Sequence, residues 1–561
     1  MPTFTLNDKA IKFKPGQTIM EAAKDNGITI PHFCWHPKLS ISGNCRVCLV
    51  EVQKIPKLVI ACSTIASEGM VVHSESEKTL EARNAVLEFL LINHPLDCPI
   101  CDEAGECKLQ DYAYKHSPGE SRYVEEKTHK DKRVQLGPRV MFDGDRCISC
   151  SRCIRFCDEI VGKPELTFVK RGNNVTISTF PGKQMENKYS MNTVDICPVG
   201  ALTSRDFRFK SRVWDLSSNP SICTGCARGC NIDVWVRNNE VKRLTPRCNL
   251  EVNSYWMCDD GRLNTFKYVN AKDRVDGAHI RKNGKLVEAG WDEVFASASS
   301  ELKNISSKEI AFIGSAYSTC EDNYLLTKFA KEVIGTKNID FIRHIDTDFG
   351  DELLRQNDIT PNTMGTELIG VSPKQGGKNI DEIIEGIKYG KIKGLFLMED
   401  DLLEIYPEIE KSLPNLELLI VLTSNFNKTT AFADFVFPSA TFAEKNGTYV
   451  NFEGRVQRIK PAVETTDLDR SLDGMAMSRL DKFGTHFDRW AKGNKRDARA
   501  SWKIISGLSA LFEKKLKYKM SENVFDEIAK SVEPFKGLNY DAIGDKGISL
   551  KDKLNEVTKT V

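Results

Sequence analysis

The sequence predicts a multidomain chain of mixed α+β and α/β class, with a metal-carrying N-terminal half and a C-terminal half of ordinary α/β units. Three observations predict it. The 561 residues are too many for one hydrophobic core. Of the 18 cysteines, all but Cys320 lie between Cys34 and Cys258. Beyond about residue 271, short apolar runs at 310–314, 395–398 and 418–423 alternate with helical patterns such as 324–333. That alternation is the signature of strands on a mostly parallel sheet.

Composition narrows the function. Hydrophobic residues make up 40% and charged residues 28% of the chain, as in soluble globular proteins. Lys+Arg 79 against Asp+Glu 78 leaves a net charge of +1, which excludes a bulk nucleic-acid or membrane-surface binder. No apolar run approaches the roughly 18 to 20 residues of a membrane span; the run at 86–92 is broken by Glu88. The opening MPTFTLNDKAIKF has neither a basic region followed by an apolar one nor a twin arginine, which argues against secretion. In a reducing compartment, dense cysteine means metal ligation rather than disulfides.

Residues 1–75 read as β–β–α followed by loops. Phe4 and Leu6, then Ile11 and Phe13, alternate around an Asn7-Asp8 turn, and Thr18 with Glu21 makes a capping box closed by Gly27. Cys34, Cys45, Cys48 and Cys62 then follow as C-x10-C-x2-C-x13-C, with Gly43 allowing close backbone approach. One close pair and two isolated cysteines suit the two irons of a [2Fe–2S] cluster better than a zinc ribbon, which favours two C-x2-C pairs.

Ser74 and Glu77 are expected to open a second helix, ending near Asn93 because Pro95 disfavours helical geometry at His94. His94, Cys98, Cys101 and Cys107 follow as H-x3-C-x2-C-x5-C. On spacing alone this fits a histidine-ligated cluster or a zinc site of three cysteines and one histidine equally. Cys147, Cys150 and Cys153 form C-x2-C-x2-C, completed by Cys197-Pro198, the pattern of a [4Fe–4S] cubane. Cys157 would extend the run, but no second C-x2-C-x2-C exists for it to serve, so Cys197 is taken as the ligand. A fourth set is Cys223, Cys226, Cys230 and Cys258, around a small β-structure at Val234, Val236, Val241 and Leu244. Cys248 competes with Cys258, which is preferred for the glycine-bearing loop expected at Cys258-Asp259-Asp260-Gly261-Arg262. The stretch 447–457 reads as packing and loop, and the charged tail beyond about 466 carries no identifiable site.

The ligand order over 34–258, with the strings DCPICDEAGECKLQD and DICPVGAL, resembles the large iron–sulfur subunit in the peripheral arm of respiratory complex I, the proton-pumping NADH:quinone oxidoreductase. The resemblance implies a [2Fe–2S] ferredoxin-like (β-grasp) domain at 1–75 and a [4Fe–4S] domain with one histidine and three cysteine ligands at 76–135. It further implies a ferredoxin-type [4Fe–4S] domain at 136–212, an additional four-cysteine [4Fe–4S] domain at 213–270, and a shortened molybdopterin-oxidoreductase-like α/β domain at 271–561. The last is carried by Trp291-Asp-Glu, DFVFPSATFAEKNGTYVNFEGRVQ and a Trp502 helix. Roughly 300 residues after Cys258 is short for a working pterin enzyme, and Asp259-Asp260 stand where a lysine is common, so no molybdopterin is expected. The cofactors implied are one [2Fe–2S] and three [4Fe–4S] clusters, one with a histidine ligand, and no catalytic residue. The sequence shows no G-x-G-x-x-G dinucleotide fingerprint, so the flavin-bearing NADH-oxidising subunit and the downstream iron–sulfur subunits leading to quinone would be partners. The expected place is the cytoplasmic side of a bacterial inner membrane, as a peripheral subunit. A formate dehydrogenase, an NAD-linked hydrogenase electron-transfer subunit and a zinc scaffold are the alternatives.

Overall fold

The computed structural model describes residues 1–117, 119–373, 376–467 and 495–560, in two compact units, Met1–Trp214 and Asp215–Val561.

The first unit opens on a five-stranded sheet in the order Lys9–Lys12, Thr3–Leu6, Val71–His73, Leu49–Val52, Val59–Ile60. Thr3–Leu6 and Lys9–Lys12 pair as a hairpin because Asn7 and Asp8 both adopt positive φ, 46° and 65°, the turn that matches strand twist. Thr3–Leu6 also runs parallel to Val71–His73, and helix Ile19–Asp25 packs its buried Ile19, Met20, Ala22 and Ala23 into the core with Phe4, Leu6, Ile11, Phe13 and Val50. The Thr18–Glu21 capping box forms as expected, and Gly27 follows the helix at φ 74°.

The second helix, Glu77–Ile92, departs from expectation at its start: Ser76, not Ser74, accepts from the Thr79 N–H. Ser74 is occupied elsewhere, its N–H donating to Asn7 Oδ1 and its hydroxyl accepting from Asn7 Nδ2, both at 2.8 Å. The helix ends at Ile92, with Asn93 as its C-cap just before His94. Helix Lys108–His116, a sheet of Leu202–Ser204, Val140–Phe142 and Val134–Gln135, and the short turns Arg152–Arg155 and Asn192–Asp195 complete the frame.

The second unit begins with an antiparallel sheet of Ser217–Ile222, Asn231–Arg237 and Glu240–Pro246, whose inward Val234, Val236, Val241 and Leu244 are buried. A seven-stranded sheet follows. Its five parallel strands are Phe435–Pro438, Leu418–Thr423, Gly394–Met398, Ile310–Ser315 and Ile339–Ile342, and the hairpin Ala278–Lys282/Lys285–Ala289 pairs antiparallel at one edge. Every residue of the central strands is buried, which is why they read as unbroken apolar runs. Phe312, Phe396 and Ile420 face helices Trp291–Asn304, Cys320–Lys328 and Ser501–Ser509. Ile313, Leu397 and Val421 face Ile383, Ile384 and Ile387 of helix Ile380–Lys388. The pattern at 324–333 falls on helix Cys320–Lys328 and its wider-wound continuation Phe329–Ile334.

One segment corrects the sequence reading. Instead of packing and loop, 447–457 falls largely in a hairpin, Gly447–Val450 with Arg455–Ile459, extended by Ile548–Ser549. All of Gly447–Val450 is buried, so no exposed face betrays the strand by alternation. The charged tail lies partly outside the described residues.

Candidate metal centres

Cys34, Cys48 and Cys62 are buried and Cys45 half-buried, on loops that leave the N-terminal sheet and helix. Their thiols associate in two pairs, Cys34 with Cys45 and Cys48 with Cys62. Within each pair the two thiols act on one another in opposite directions: Cys34 is lowered by Cys45, and Cys62 by Cys48. Cys45 and Cys48 are correspondingly pushed up. The backbone amides of Cys45 and Asn44 also help to lower Cys34, in a loop where Gly43 and Arg46 adopt positive φ. Amide donors around convergent thiols suit thiolates that ligate iron, so the donor chemistry fits a two-iron cluster.

In the second set, burial holds His94 down at about 4, helped by Arg146 and Lys127, leaving the imidazole neutral and able to ligate. Cys101 and Cys107 are buried, and burial pushes the Cys107 thiol up to about 12, whereas Cys98 is exposed. Arg146 acts on both His94 and Cys101, so the two share one neighbouring charge. The wall beside these cysteines comes from the 198–200 segment. Lys108 N–H donates to Pro198 O at 3.2 Å, and a Cβ on Gly200 would stand 2.3 Å from Cys101 Sγ.

Cys147, Cys150, Cys153 and Cys197 line one small cavity walled by Phe142, Val199 and Leu202. Burial raises all four thiols, Cys147 to about 11. Ser149 and Ser151, between the cysteines, adopt positive φ of 53° and 63°, which folds the loop tightly enough for Ser149 N–H to reach Cys147 Sγ at 3.4 Å. Cys157 lies on the following turn, Phe156–Ile160, and is not among the residues lining this cavity. Its thiol is raised to about 12 by burial, with Glu165 and Asp158 adding to the effect.

Cys223, Cys226, Cys230 and Cys258 are all buried, and each is raised, chiefly by burial. Cys223 N–H bonds Cys230 O at 2.9 Å, closing the loop that joins two strands. Cys258 does not sit on a glycine-bearing loop as expected: it caps helix Asp259–Leu263, its sulfur accepting Gly261 N–H at 3.2 Å. Gly261 is nonetheless required, because its Cβ would stand 2.9 Å from Cys223 Sγ. Cys248 is exposed, and Cys320 is buried against Asn362 on a helix of the α/β domain. Among the described residues no three His, Cys, Asp or Glu side chains are arranged to hold a single metal ion. A cluster spreads its ligands over several irons and makes no such demand.

Ligand spacing does not mark Arg152 and Arg155, which flank Cys153 and reach the first set. Arg155 donates to Cys34 O at 2.5 Å and Cys150 O at 3.4 Å, and Arg152 to Trp35 O at 2.6 Å. Their signal in the sequence was two cations inside an anion-generating motif.

A separate cavity of about 850 Å³ opens in the second unit at the C-terminal ends of the parallel strands. Asp260, Asp346, Glu399, Asp400, Asp401 and Glu404 line it, against Lys267 and a His344 bonded to Asp400 at 2.9 Å. That acidic lining does not fit the phosphate of a molybdopterin.

Five family models match the chain. They are the 2Fe-2S iron-sulfur cluster binding domain at 1–77 and the NADH-ubiquinone oxidoreductase-G iron-sulfur binding region at 83–122. Next come the ferredoxin-like domain of NADH-quinone oxidoreductase subunit 3 at 137–203, the molybdopterin oxidoreductase Fe4S4 domain at 216–270, and molybdopterin oxidoreductase at 362–471. The G subunit of NADH-quinone oxidoreductase from Rickettsia conorii is 39% identical over 384 residues, 67% of this chain and 56% of that protein. The mitochondrial NADH-ubiquinone oxidoreductase 78 kDa subunit of Neurospora crassa is 42% identical over 293 residues, 52% of this chain and 39% of that protein. A chain from the crystal structure of an NAD+-reducing [NiFe]-hydrogenase in the H2-reduced state is 33% identical, with a TM-score of 0.34, over 38% of this chain and 91% of its own. The chain spans about half the length of the curated relatives it matches. It carries [2Fe–2S] and [4Fe–4S] binding domains ahead of a molybdopterin-oxidoreductase-like domain.

Proposed function

From the premise that this chain is a homologue of the G subunit of NADH-quinone oxidoreductase, we propose that it carries electrons within such a complex and makes no substrate bond itself. Cys34, Cys45, Cys48 and Cys62 hold a [2Fe–2S] cluster; His94, Cys98, Cys101 and Cys107 hold a [4Fe–4S] cluster. Cys147, Cys150, Cys153 and Cys197 hold a second [4Fe–4S] cluster, and Cys223, Cys226, Cys230 and Cys258 a third. The observation that carries the reading is the closure of Cys147, Cys150, Cys153 and the distant Cys197 around one small buried cavity. The bound clusters supply one-electron redox chemistry by outer-sphere transfer. The chain's own part is to bury the thiolates, exclude water from them and aim amide N–H groups at sulfur, as Ser149 and Gly261 do.

Electrons enter from a flavin-bearing NADH-oxidising partner and leave through further iron–sulfur subunits towards quinone. No helix among the described residues is long and apolar enough to cross a membrane. That agrees with a peripheral subunit of a membrane complex, which we assign to the cytoplasmic face. The test is anaerobic purification of the assembly with metal analysis and EPR. This chain should contribute about 14 iron and 14 sulfide, with no molybdenum or tungsten. Zinc in place of iron would end the redox reading, and nickel would move it to a hydrogenase.

A further inference from the structure

Arg152 stands on the single turn Arg152–Arg155 that begins inside the third cysteine set, and only 4% of it is exposed. Its two terminal nitrogens are engaged by backbone carbonyls on either side. Nη2 donates to Trp35 O at 2.6 Å, next to Cys34, and Nη1 to Ile196 O at 3.1 Å, next to Cys197. Its Nε–H is buried and has no acceptor among the described residues. Among the described residues no carboxylate forms an ion pair with it. The groups that would act on it as anions once deprotonated are Cys150 and Cys197 of the third set and Cys34 and Cys45 of the first.

A guanidinium buried without an anion is costly, and carbonyl acceptors alone do not neutralise it. Arginine holds its proton under all conditions a protein meets, so deprotonation does not relieve the cost. The missing anion has to come from the cysteine sets themselves once thiolates and iron are in place. Each electron added to either cluster adds one more negative charge beside the same fixed cation.

We propose that Arg152 is the shared counter-charge of the first and third centres, raising the reduction potential of both and offering its Nε–H to sulfur. The inference rests on the cluster assignment above. Because one residue serves two centres, its loss should move two potentials together and leave the His94 and Cys223 centres where they were. Its fork to Trp35 O and Ile196 O also holds the two ligand loops in place, so charge and positioning need separate variants.

The experiment is an EPR-monitored redox titration of the assembled complex carrying R152Q or R152K, with iron counted in each. R152Q, which keeps hydrogen-bonding capacity but no charge, should lower the reduction constant of both centres at least tenfold, 59 mV for one electron. R152K, which keeps the charge but not the fork, should stay close to wild type. Unmoved potentials, a shift at only one of the two centres, or equal shifts in R152Q and R152K would each overturn the proposal. Should R152Q fail to load iron, wild-type complex grown on 15N-arginine decides instead. A 15N hyperfine coupling on both reduced centres, weakened in R152K, supports the role, and its absence from either overturns it. Missing iron and EPR signals in the wild-type protein would instead sink the cluster assignment itself.

Discussion

Gly200 abuts Cys101: a methyl group in place of its hydrogen would lie 2.3 Å from the Cys101 sulfur and 2.9 Å from Glu103 Cβ. The residue belongs to the loop that carries Cys197, yet the sulfur it crowds belongs to the second set. Any side chain at 200 must therefore push Cys101 away from its place, because the backbone around 197–202 is held by its own bonds, including Ala201 N–H to Val199 O and Asp143 N–H to Ala201 O, both at 2.8 Å.

We expect G200A to lose the His94/Cys98/Cys101/Cys107 cluster, about four iron atoms of the total, while the signals of the other centres persist. Iron analysis and EPR of the variant complex are the check. A full iron content with four unchanged spectra would show that the close approach has no bearing on the second centre.

Cys258 and Cys248 give a matched pair. Cys258 is buried, caps a helix through its sulfur and shares its surroundings with Cys223, Cys226 and Cys230; Cys248 is exposed. C258S should remove about four iron atoms, and C248S none. In the intact native protein a maleimide should label Cys248 and leave Cys258 untouched. Iron loss in C248S would reverse the assignment of the fourth ligand.

These contrasts mark how far the sequence could be read. The convergence of Cys147, Cys150, Cys153 and Cys197 was legible because three of them are local, and the strands of the parallel sheet were legible because burial on both faces makes them uniformly apolar. What escaped depends on partners far along the chain. Ser74 looked like a helix cap but is taken by Asn7, 67 residues away. Gly200 and Arg152 have no motif of their own, and their roles arise only where Cys101 and Trp35 are brought against them. Gly447–Val450 hides because nothing on it faces water.

The first unit should lose stability in mild acid through His36. Burial, reinforced by Arg152, holds its imidazole down at about 3, below the ordinary 6.5 that an unfolded chain would show. Between those values the unfolded chain binds more protons than the folded one, so the unfolding free energy falls as pH drops from about 6.5. His36 Nδ1 accepts Lys38 N–H at 3.2 Å, a role the amide oxygen of asparagine can take. H36N should therefore flatten the fall in melting temperature between pH 7 and 5, by roughly 2–4 °C for each kcal/mol removed. Parallel curves for wild type and H36N would exclude His36 as the source.

Lys445 ties the α/β domain together, and its removal should be costly in a pH-dependent way. Only 2% of its side chain is exposed, and its ammonium lies 2.8 Å from both Asp322 Oδ2 and Glu399 Oε1. Asp322 also accepts Trp502 N–H at 2.9 Å, and Glu399 accepts the Ser501 hydroxyl at 2.5 Å, so the cation joins helix Cys320–Lys328, the end of strand Gly394–Met398 and helix Ser501–Ser509. K445M leaves two buried carboxylates without a cation, which should cost about 3–5 kcal/mol of unfolding free energy. Burial already raises Glu399 above the ordinary carboxylate range, and losing Lys445 raises it further. A carboxyl that binds its proton more tightly folded than unfolded stabilises the fold below its unfolded pKa and loses that effect as pH rises through the folded one. The deficit in K445M should accordingly be smaller at pH 5 than at pH 8, read from denaturant midpoints at both. A deficit below 1 kcal/mol, equal at the two pH values, would mean that water reaches the triad and screens it.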